Sequence, residues 1–197
     1  AIVVTNSFCH NISIPELGKE LRCLAPKPVI SISNPLDIPG NHYTCISCKK
    51  AYEEIIGHIV KKHKRKKIAF LSAALNHSPE SEERVKAYKA ALKKFGLKHD
   101  SSWDLAGDFT PRSAYDAILN RYKKKEDIPF DALLCANDYM AAGSISALGD
   151  LGVKVPEDIC VFGFDDAEVA VNSNPTISTI NQFVAQTGYK AGELAYN

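Results

Sequence analysis

Residues 131–138 (DALLCAND), 139–152 (YMAAGSISALGDLG) and 158–166 (DICVFGFDD) decide the fold of this chain. The first and third segments each contain a short apolar run, which predicts a buried strand. The middle segment is rich in Ala, Ile and Leu, which predicts a helix that ends at one of its last two glycines. A strand, a helix and a strand joined by short links predict a right-handed parallel unit, so the fold class is α/β.

Polar residues follow both predicted strands. Asn137 ends the apolar run 132–136, and Asp165 ends the run 159–164. In open parallel sheets, ligands bind outside the edge formed by the carboxyl ends of the strands. Asn137 and Asp165 are therefore candidate ligand-binding residues. The alternative for each is a helix cap, a common role for Asn or Asp after a strand.

The composition is that of an ordinary globular domain. The 197 residues are 45% hydrophobic and 24% charged, and the formal net charge of +1 does not favour nucleic acid. No apolar stretch approaches the ~20 residues that span a bilayer, and the first residues do not form a signal peptide. We therefore expect no membrane partner. The basic run 61–67 (KKHKRKK) is interpreted as a solvated helix end, with a nucleic-acid contact as the alternative.

Six cysteines raise the question of a metal or redox site. Cys45 and Cys48 form one C-x-x-C motif preceded by His42. A structural zinc site needs four ligands, usually in two pairs, and no second pair is evident. We therefore predict no metal and no cofactor. Thiols without the spacing of a disulfide framework fit a reducing compartment, so a cytoplasmic location is expected.

A further candidate comes from a predicted helix in which Ser78 can act as the cap and Pro79 can occupy the first position. Arg84 lies in the first half of this helix. In a parallel α/β unit that end faces the carboxyl edge of the sheet, so Arg84 is expected to point towards Asn137 and Asp165. The alternative for Arg84 is a surface ion pair on a glutamate-rich helix.

Three ordered motifs resemble the effector-binding core of the LacI/GalR transcriptional regulators. They are CANDYMAAG (135–143), GVKVPEDICVFGFDD (152–166) and ISTINQ (177–182). Weaker similarity extends through the rest of the chain. The resemblance implies a two-lobed, type I periplasmic-binding-protein-like fold in which helices flank parallel sheets.

The resemblance also implies where the lobes divide. The N-terminal lobe is expected to comprise residues 1–71 plus 181–197 and the C-terminal lobe residues 72–180, with a ligand cleft between them. Against the family pattern, the first two strand–helix units and the DNA-reading helix-turn-helix lie outside this chain. The N-terminal lobe is therefore expected to be incomplete.

The candidate residues acquire roles from the resemblance. Arg84 stands where the family places an arginine that grips ligand hydroxyls or a carboxylate, and its planar guanidinium allows bidentate recognition. Asp165 matches the acidic residue of the G-F-D-D motif and can accept hydrogen bonds from sugar hydroxyls or a base edge. Phe109 occupies an aromatic position whose ring stacks on the ligand, with a core role as the alternative. Asn6 and Ser7 are expected to face the cleft from the other lobe.

These inferences predict a sensor domain. A small polar effector, a sugar or another metabolite, is expected to close the lobes and control an attached DNA-binding domain in a homodimer. The alternatives are a LacI-like sensor fused to a diguanylate cyclase or histidine kinase, and a periplasmic sugar-binding protein. Where the family often has an Asp-Asn pair, this chain has Ser47 and Cys48, which leaves the ligand class open.

An enzyme is not expected, because the sequence lacks a G-x-G-x-x-G, a P-loop and a G-x-S-x-G motif. Asp165 and Asp166 at a strand end could mimic a phosphoacceptor site. Such a site needs further acidic residues for Mg²⁺ at other strand ends, and Asp138 is the one evident candidate.

Overall fold

The chain divides into two compact units in a computed structural model that describes residues 1–5, 13–24, 27–45, 47–73 and 79–196. The first unit comprises Ala1–Ser47, Leu75–Glu82 and Phe183–Asn197, and the second comprises Cys48–Ala74 and Glu83–Gln182.

Helices and strands alternate along the chain. The strands are β1 (Ile2–Thr5), β2 (Val29–Ile32), β3 (His42–Thr44), β4 (Ile68–Ala73), β5 (Leu105–Gly107), β6 (Ala132–Cys135) and β7 (Cys160–Phe162). The helices are α1 (Ile14–Leu21), α2 (Cys48–Lys61), α3 (Pro79–Lys94), α4 (Pro111–Arg121), α5 (Asp138–Asp150), α6 (Glu168–Asn172) and α7 (Val184–Tyr196).

The first unit contains a parallel sheet in the order β1-β2-β3, and α7 packs against its strands. Val29, Leu36 and Ile38 form its buried core. Helix α1 begins with a capping box, in which the Ser13 hydroxyl accepts from the Glu16 amide and the Glu16 carboxylate accepts from the Ser13 amide at 2.9 Å. This reciprocal pairing satisfies backbone donors that the first turn leaves without intrahelical partners.

The second unit contains a parallel sheet in the order β5-β4-β6-β7. In its register, Leu71 of β4 pairs with Leu105 of β5 and Cys135 of β6, and Leu134 of β6 pairs with Phe162 of β7. Segment β6–α5–β7 is the predicted strand–helix–strand unit, and its two strands are parallel neighbours. The α/β fold class with helix-flanked parallel sheets is therefore confirmed.

The second unit begins at Cys48. The lobe boundary at residue 72, which the family resemblance implies, stays a prediction. Residues 48–71 belong with the second unit, because β4 pairs with β5 and β6, and because the buried face of α2 joins the same core. That face consists of Tyr52, Ile55, Ile56 and Ile59. The spacing of these residues is that of one helix face, but spacing does not specify which sheet a helix covers.

The basic run 61–67 connects the end of α2 to β4, as the interpretation of a helix end predicts. Hydrogen bonds connect three residues of this run, Arg65, Lys66 and Lys67, to other parts of the second unit. The Arg65 guanidinium donates to the Glu157 carbonyl at 2.6 Å. The Asp131 carboxylate accepts from the backbone amides of Lys66 and Lys67 at 3.2 and 2.9 Å, at the edge where the strands begin.

The cysteines in the described ranges are free thiols, Cys45 exposed and Cys48 buried. Across those ranges, no three His, Cys, Asp or Glu side chains converge as metal ligands. Of the helices in the described part of the chain, none is long and apolar enough to cross a membrane.

Helices α4 and α5 approach closely at Gly143. A β-carbon on Gly143 would lie 2.0 Å from the Pro111 carbonyl oxygen, so no larger residue fits unless the backbone moves. A β-carbon on Gly149, in the last turn of α5, would meet no atom within 4 Å.

We therefore expect Gly143→Ala to lower the free energy of unfolding by about 1–3 kcal/mol or more, because the clash outweighs the gain in helix propensity. The matched control, Gly149→Ala, should raise it by about 0.5 kcal/mol. Urea denaturation of both variants checks this prediction. Equal changes in the free energy of unfolding in the two variants would contradict the close approach of α4 and α5 at Gly143.

Candidate functional site

The candidate residues meet at the carboxyl edge of the second unit's sheet. Arg84 reaches this edge from α3, Phe109 precedes α4, Asn137 follows β6 and Asp165 follows β7. Four segments that are distant in the chain therefore contribute to one place. Asn6 and Ser7, the remaining candidates, lie outside the described residues.

Arg84 is a buried cation, with 4% of its surface exposed. Its guanidinium donates a hydrogen bond to the Ala136 carbonyl. The guanidinium carbon lies 4.1 Å from the centre of the Phe164 ring, and Nη2 lies 3.7 Å from Asp165 Oδ1. The cation therefore points to the candidate edge, as expected for a residue in the first half of a helix in a parallel α/β unit. It is not part of a surface ion pair.

The ring under Arg84 belongs to a stack of aromatic side chains. Phe164 stacks on Tyr52 of α2 with ring centres 5.7 Å apart, and Tyr52 meets Phe70 of β4 edge-on. Burial raises the pKa of the Tyr52 hydroxyl far above its usual value, so the hydroxyl stays neutral. Arg84 therefore packs against aromatic side chains of the hydrophobic core.

Asp165 lies in a strained turn. Its φ is +114° and that of Asp166 is +58°, values in the region that disfavours residues other than glycine. The Asp165 amide donates to the Ile180 carbonyl at 2.9 Å, and the carboxylate accepts from the Gln182 side-chain amide. About a third of the Asp165 side chain is exposed (33%). The cap alternative does not describe Asp165, because α6 begins after Ala167.

Asn137 caps α5, as the alternative interpretation of this residue proposed. Its Oδ1 accepts from the Met140 amide at 2.8 Å, and its Nδ2 donates to the Phe109 carbonyl at 3.0 Å. The residue is 6% exposed. Asn137 therefore uses its acceptor oxygen to cap α5 and one of its N–H groups to hold the backbone of Phe109.

The Phe109 side chain is half-buried, and its backbone has a φ of +70°. Residues on both sides hold this conformation. Asp108 accepts from the Thr110 hydroxyl at 2.6 Å, and Thr110 caps α4 through the Ser113 amide. The Thr110 hydrogen bond is the main reason that the pKa of Asp108 is lowered.

Asp138 is a polar residue of this edge whose role the sequence did not reveal. It is fully buried, and its carboxyl oxygens accept from the Ala167 amide at 2.7 Å and the Thr179 hydroxyl at 2.6 Å. Burial raises the pKa of Asp138, and the nearby Asp166 adds to the rise, although the hydrogen bonds act in the opposite direction. Since both oxygens face protein donors, the magnesium alternative finds no support in Asp138.

The raised pKa of Asp138 predicts a pH dependence of stability. Above the ordinary value of 3.8 the unfolded chain loses this proton while the folded chain keeps it. Stability therefore falls as pH rises from 3.8 through the raised folded pKa, and is constant above it. Asp138→Asn lacks this group, so the stability of the unmodified protein relative to the variant should fall across that window.

Chemical denaturation of both proteins from pH 3.5 to pH 7 measures the difference. Other carboxyl groups cancel in the comparison because both proteins contain them. A difference that is flat or that increases with pH would contradict the assigned environment of Asp138.

Comparison with known proteins adds three findings. A family model described as a periplasmic binding protein-like domain matches residues 56–196. The HTH-type transcriptional repressor PurR of Pasteurella multocida is 30% identical over 162 residues, which are 80% of this chain and 47% of that protein. The chain thus spans about half the length of the curated relatives it matches.

Solved structures are similar over nearly the whole chain. The Escherichia coli transcriptional repressor ascG has a TM-score of 0.80 and 27% identity, covering 100% of this chain and 69% of that one. A second similar structure is a sugar-binding transcriptional regulator of the LacI family from Escherichia coli, complexed with phosphate. Its TM-score is 0.77 at 27% identity, and the match covers 94% of this chain and 64% of that one.

Proposed function

The chain belongs to the periplasmic binding protein-like domain family, as an effector-binding domain of the LacI type, and we propose that it binds a small polar effector at Arg84 and Asp165. The observation that carries the proposal is the pairing of a buried guanidinium with a partly exposed carboxylate at the carboxyl edge of a parallel sheet.

The pair offers complementary chemistry to a polyhydroxylated or heterocyclic ligand. Arg84 contributes fixed N–H donors, and Asp165 contributes an acceptor that can bind two neighbouring hydroxyls. The distance of 3.7 Å between Arg84 Nη2 and Asp165 Oδ1 is longer than a good charge-assisted hydrogen bond. Polar groups of a ligand can therefore form shorter hydrogen bonds with either side chain. The ring of Phe109 would stack on the ligand's apolar face.

A sugar is the ligand class we propose first. One relative of known structure is described as a sugar-binding regulator, and adjacent hydroxyls suit the Asp165 carboxylate. The change at Ser47 and Cys48 leaves other small metabolites open. The ligand contacts of Asn137, Phe109, Asn6 and Ser7 stay predictions, as does lobe closure.

The regulatory part of the proposal concerns the whole protein. We propose that ligand binding changes the affinity of an attached helix-turn-helix domain for DNA, because an effector that prefers one conformation shifts the population towards it. PurR of Pasteurella multocida, a relative that is 30% identical, is an HTH-type transcriptional repressor. We also propose that the protein is a cytoplasmic homodimer without enzymatic activity.

A thermal-shift screen of the full-length protein against pentoses, hexoses, disaccharides, purines and amino acids tests the proposal. A ligand at a hundred times its dissociation constant stabilises the folded state by about 2.7 kcal/mol. For a domain of this size, the melting temperature should rise by about 5–10 °C. Asp165→Asn and Arg84→Ala should each abolish the shift.

The matched control is Arg112→Ala, which removes an exposed arginine that pairs with Asp116 on α4. This variant should keep the full shift. Retained binding in both Asp165→Asn and Arg84→Ala would exclude this site, and no shift with any compound would contradict the sensor function.

A further inference from the structure

The turn that carries Asp165 needs an external restraint. Residues 163–167 contain two consecutive non-glycine residues, Asp165 and Asp166, with left-handed φ values of +114° and +58°. Such a backbone persists only where its surroundings hold it. Because Asp165 reaches Arg84 from this turn, whatever holds the turn also sets the geometry of the candidate site.

Asp138 contacts this turn at both ends. Its amide donates to the Phe164 carbonyl at 3.0 Å, and its Oδ2 accepts from the Ala167 amide at 2.7 Å. Its Oδ1 accepts from the Thr179 hydroxyl at 2.6 Å, and that hydroxyl accepts from the Asp166 amide at 3.2 Å. The backbone amide of Asp138 therefore reaches the beginning of the turn, and its buried carboxyl group reaches the end and, through Thr179, the middle.

Gly163 makes this close approach possible. A β-carbon on Gly163 would lie 2.0 Å from Asp138 Oδ1. The carboxyl group therefore occupies the space that a side chain at residue 163 would need.

The carboxyl group of Asp138 is not needed to cap its own helix. Asn137 is the cap of α5 and accepts from the Met140 amide. The oxygens of Asp138 instead meet donors 29 and 41 residues further along the chain. Hydrogen bonds to a buried carboxyl group are strong and directional, so they can fix a turn whose backbone is disfavoured.

We propose that Asp138 is a positioning residue of the effector site: it holds residues 163–167 so that the Asp165 carboxylate stays beside the Arg84 guanidinium. Its importance for ligand binding rests on the proposed function. The restraint itself exists without ligand, so it can be measured in the free protein.

Amide hydrogen exchange followed by NMR tests the restraint. The informative probe is the Asp165 amide, which donates to Ile180 and to neither Asp138 nor Thr179. In Asp138→Ala this amide should exchange about tenfold faster or more, the factor that corresponds to one lost charge-assisted hydrogen bond.

Thr179→Val is the second variant, since removing a fully buried carboxyl group can prevent folding. It should accelerate exchange at Asp165 in the same direction, whereas Thr179→Ser keeps the hydroxyl and should restore the original rate. The matched control is Asp131→Ala, which removes a carboxylate that accepts from the amides of Lys66 and Lys67. It should accelerate exchange at those amides and leave Asp165 unchanged.

An unchanged Asp165 rate in folded Thr179→Val or Asp138→Ala would overturn the proposal. So would equal acceleration in Thr179→Val and Thr179→Ser, because the hydroxyl would then be irrelevant. A thermal-shift panel without a hit would contradict the proposed function alone, since the exchange rates do not depend on ligand. The two failures are therefore distinguishable.

Discussion

The buried guanidinium of Arg84 is the constraint on which the candidate site depends. A cation that is 4% exposed is costly unless it is paired and hydrogen-bonded, so the groups around it must be placed accurately. The Ala136 carbonyl, the Phe164 ring and the Asp165 carboxylate meet this requirement from the segments that follow β6 and β7. The side chain that we propose as a donor to the ligand therefore also joins the loops that follow two neighbouring strands.

Further hydrogen bonds fix the backbone conformation of the loops around the site. Asn137 binds the carbonyl of Phe109, and Asp138 binds the turn that contains Asp165. Each uses a short polar side chain at the start of α5 to fix a backbone with positive φ. A site held in this way loses little conformational entropy when a ligand binds, which favours affinity. The start of α5 is thus the element on which both loops converge.

Local features were predictable from the sequence, whereas long-range pairings were not. The apolar runs of β6 and β7, together with the parallel direction of the strands, predict that Arg84 and Asp165 lie at one edge of the sheet. The unit to which α2 belongs was not predictable, because its buried face suits either sheet. The role of Asp138 was missed because Ala167 and Thr179 lie 29 and 41 residues away in the chain. For Asn137 the sequence left a cap and a ligand contact equally open, and only the placed Met140 amide shows the cap.

A crystal structure of the protein with the compound that gives the largest thermal shift would show whether Arg84 and Asp165 bind the effector. Polar ligand atoms should lie about 2.7–3.2 Å from the Arg84 guanidinium and from the Asp165 carboxylate. A ligand bound elsewhere, with Arg84 and Asp165 still contacting only protein groups, would contradict the proposed site.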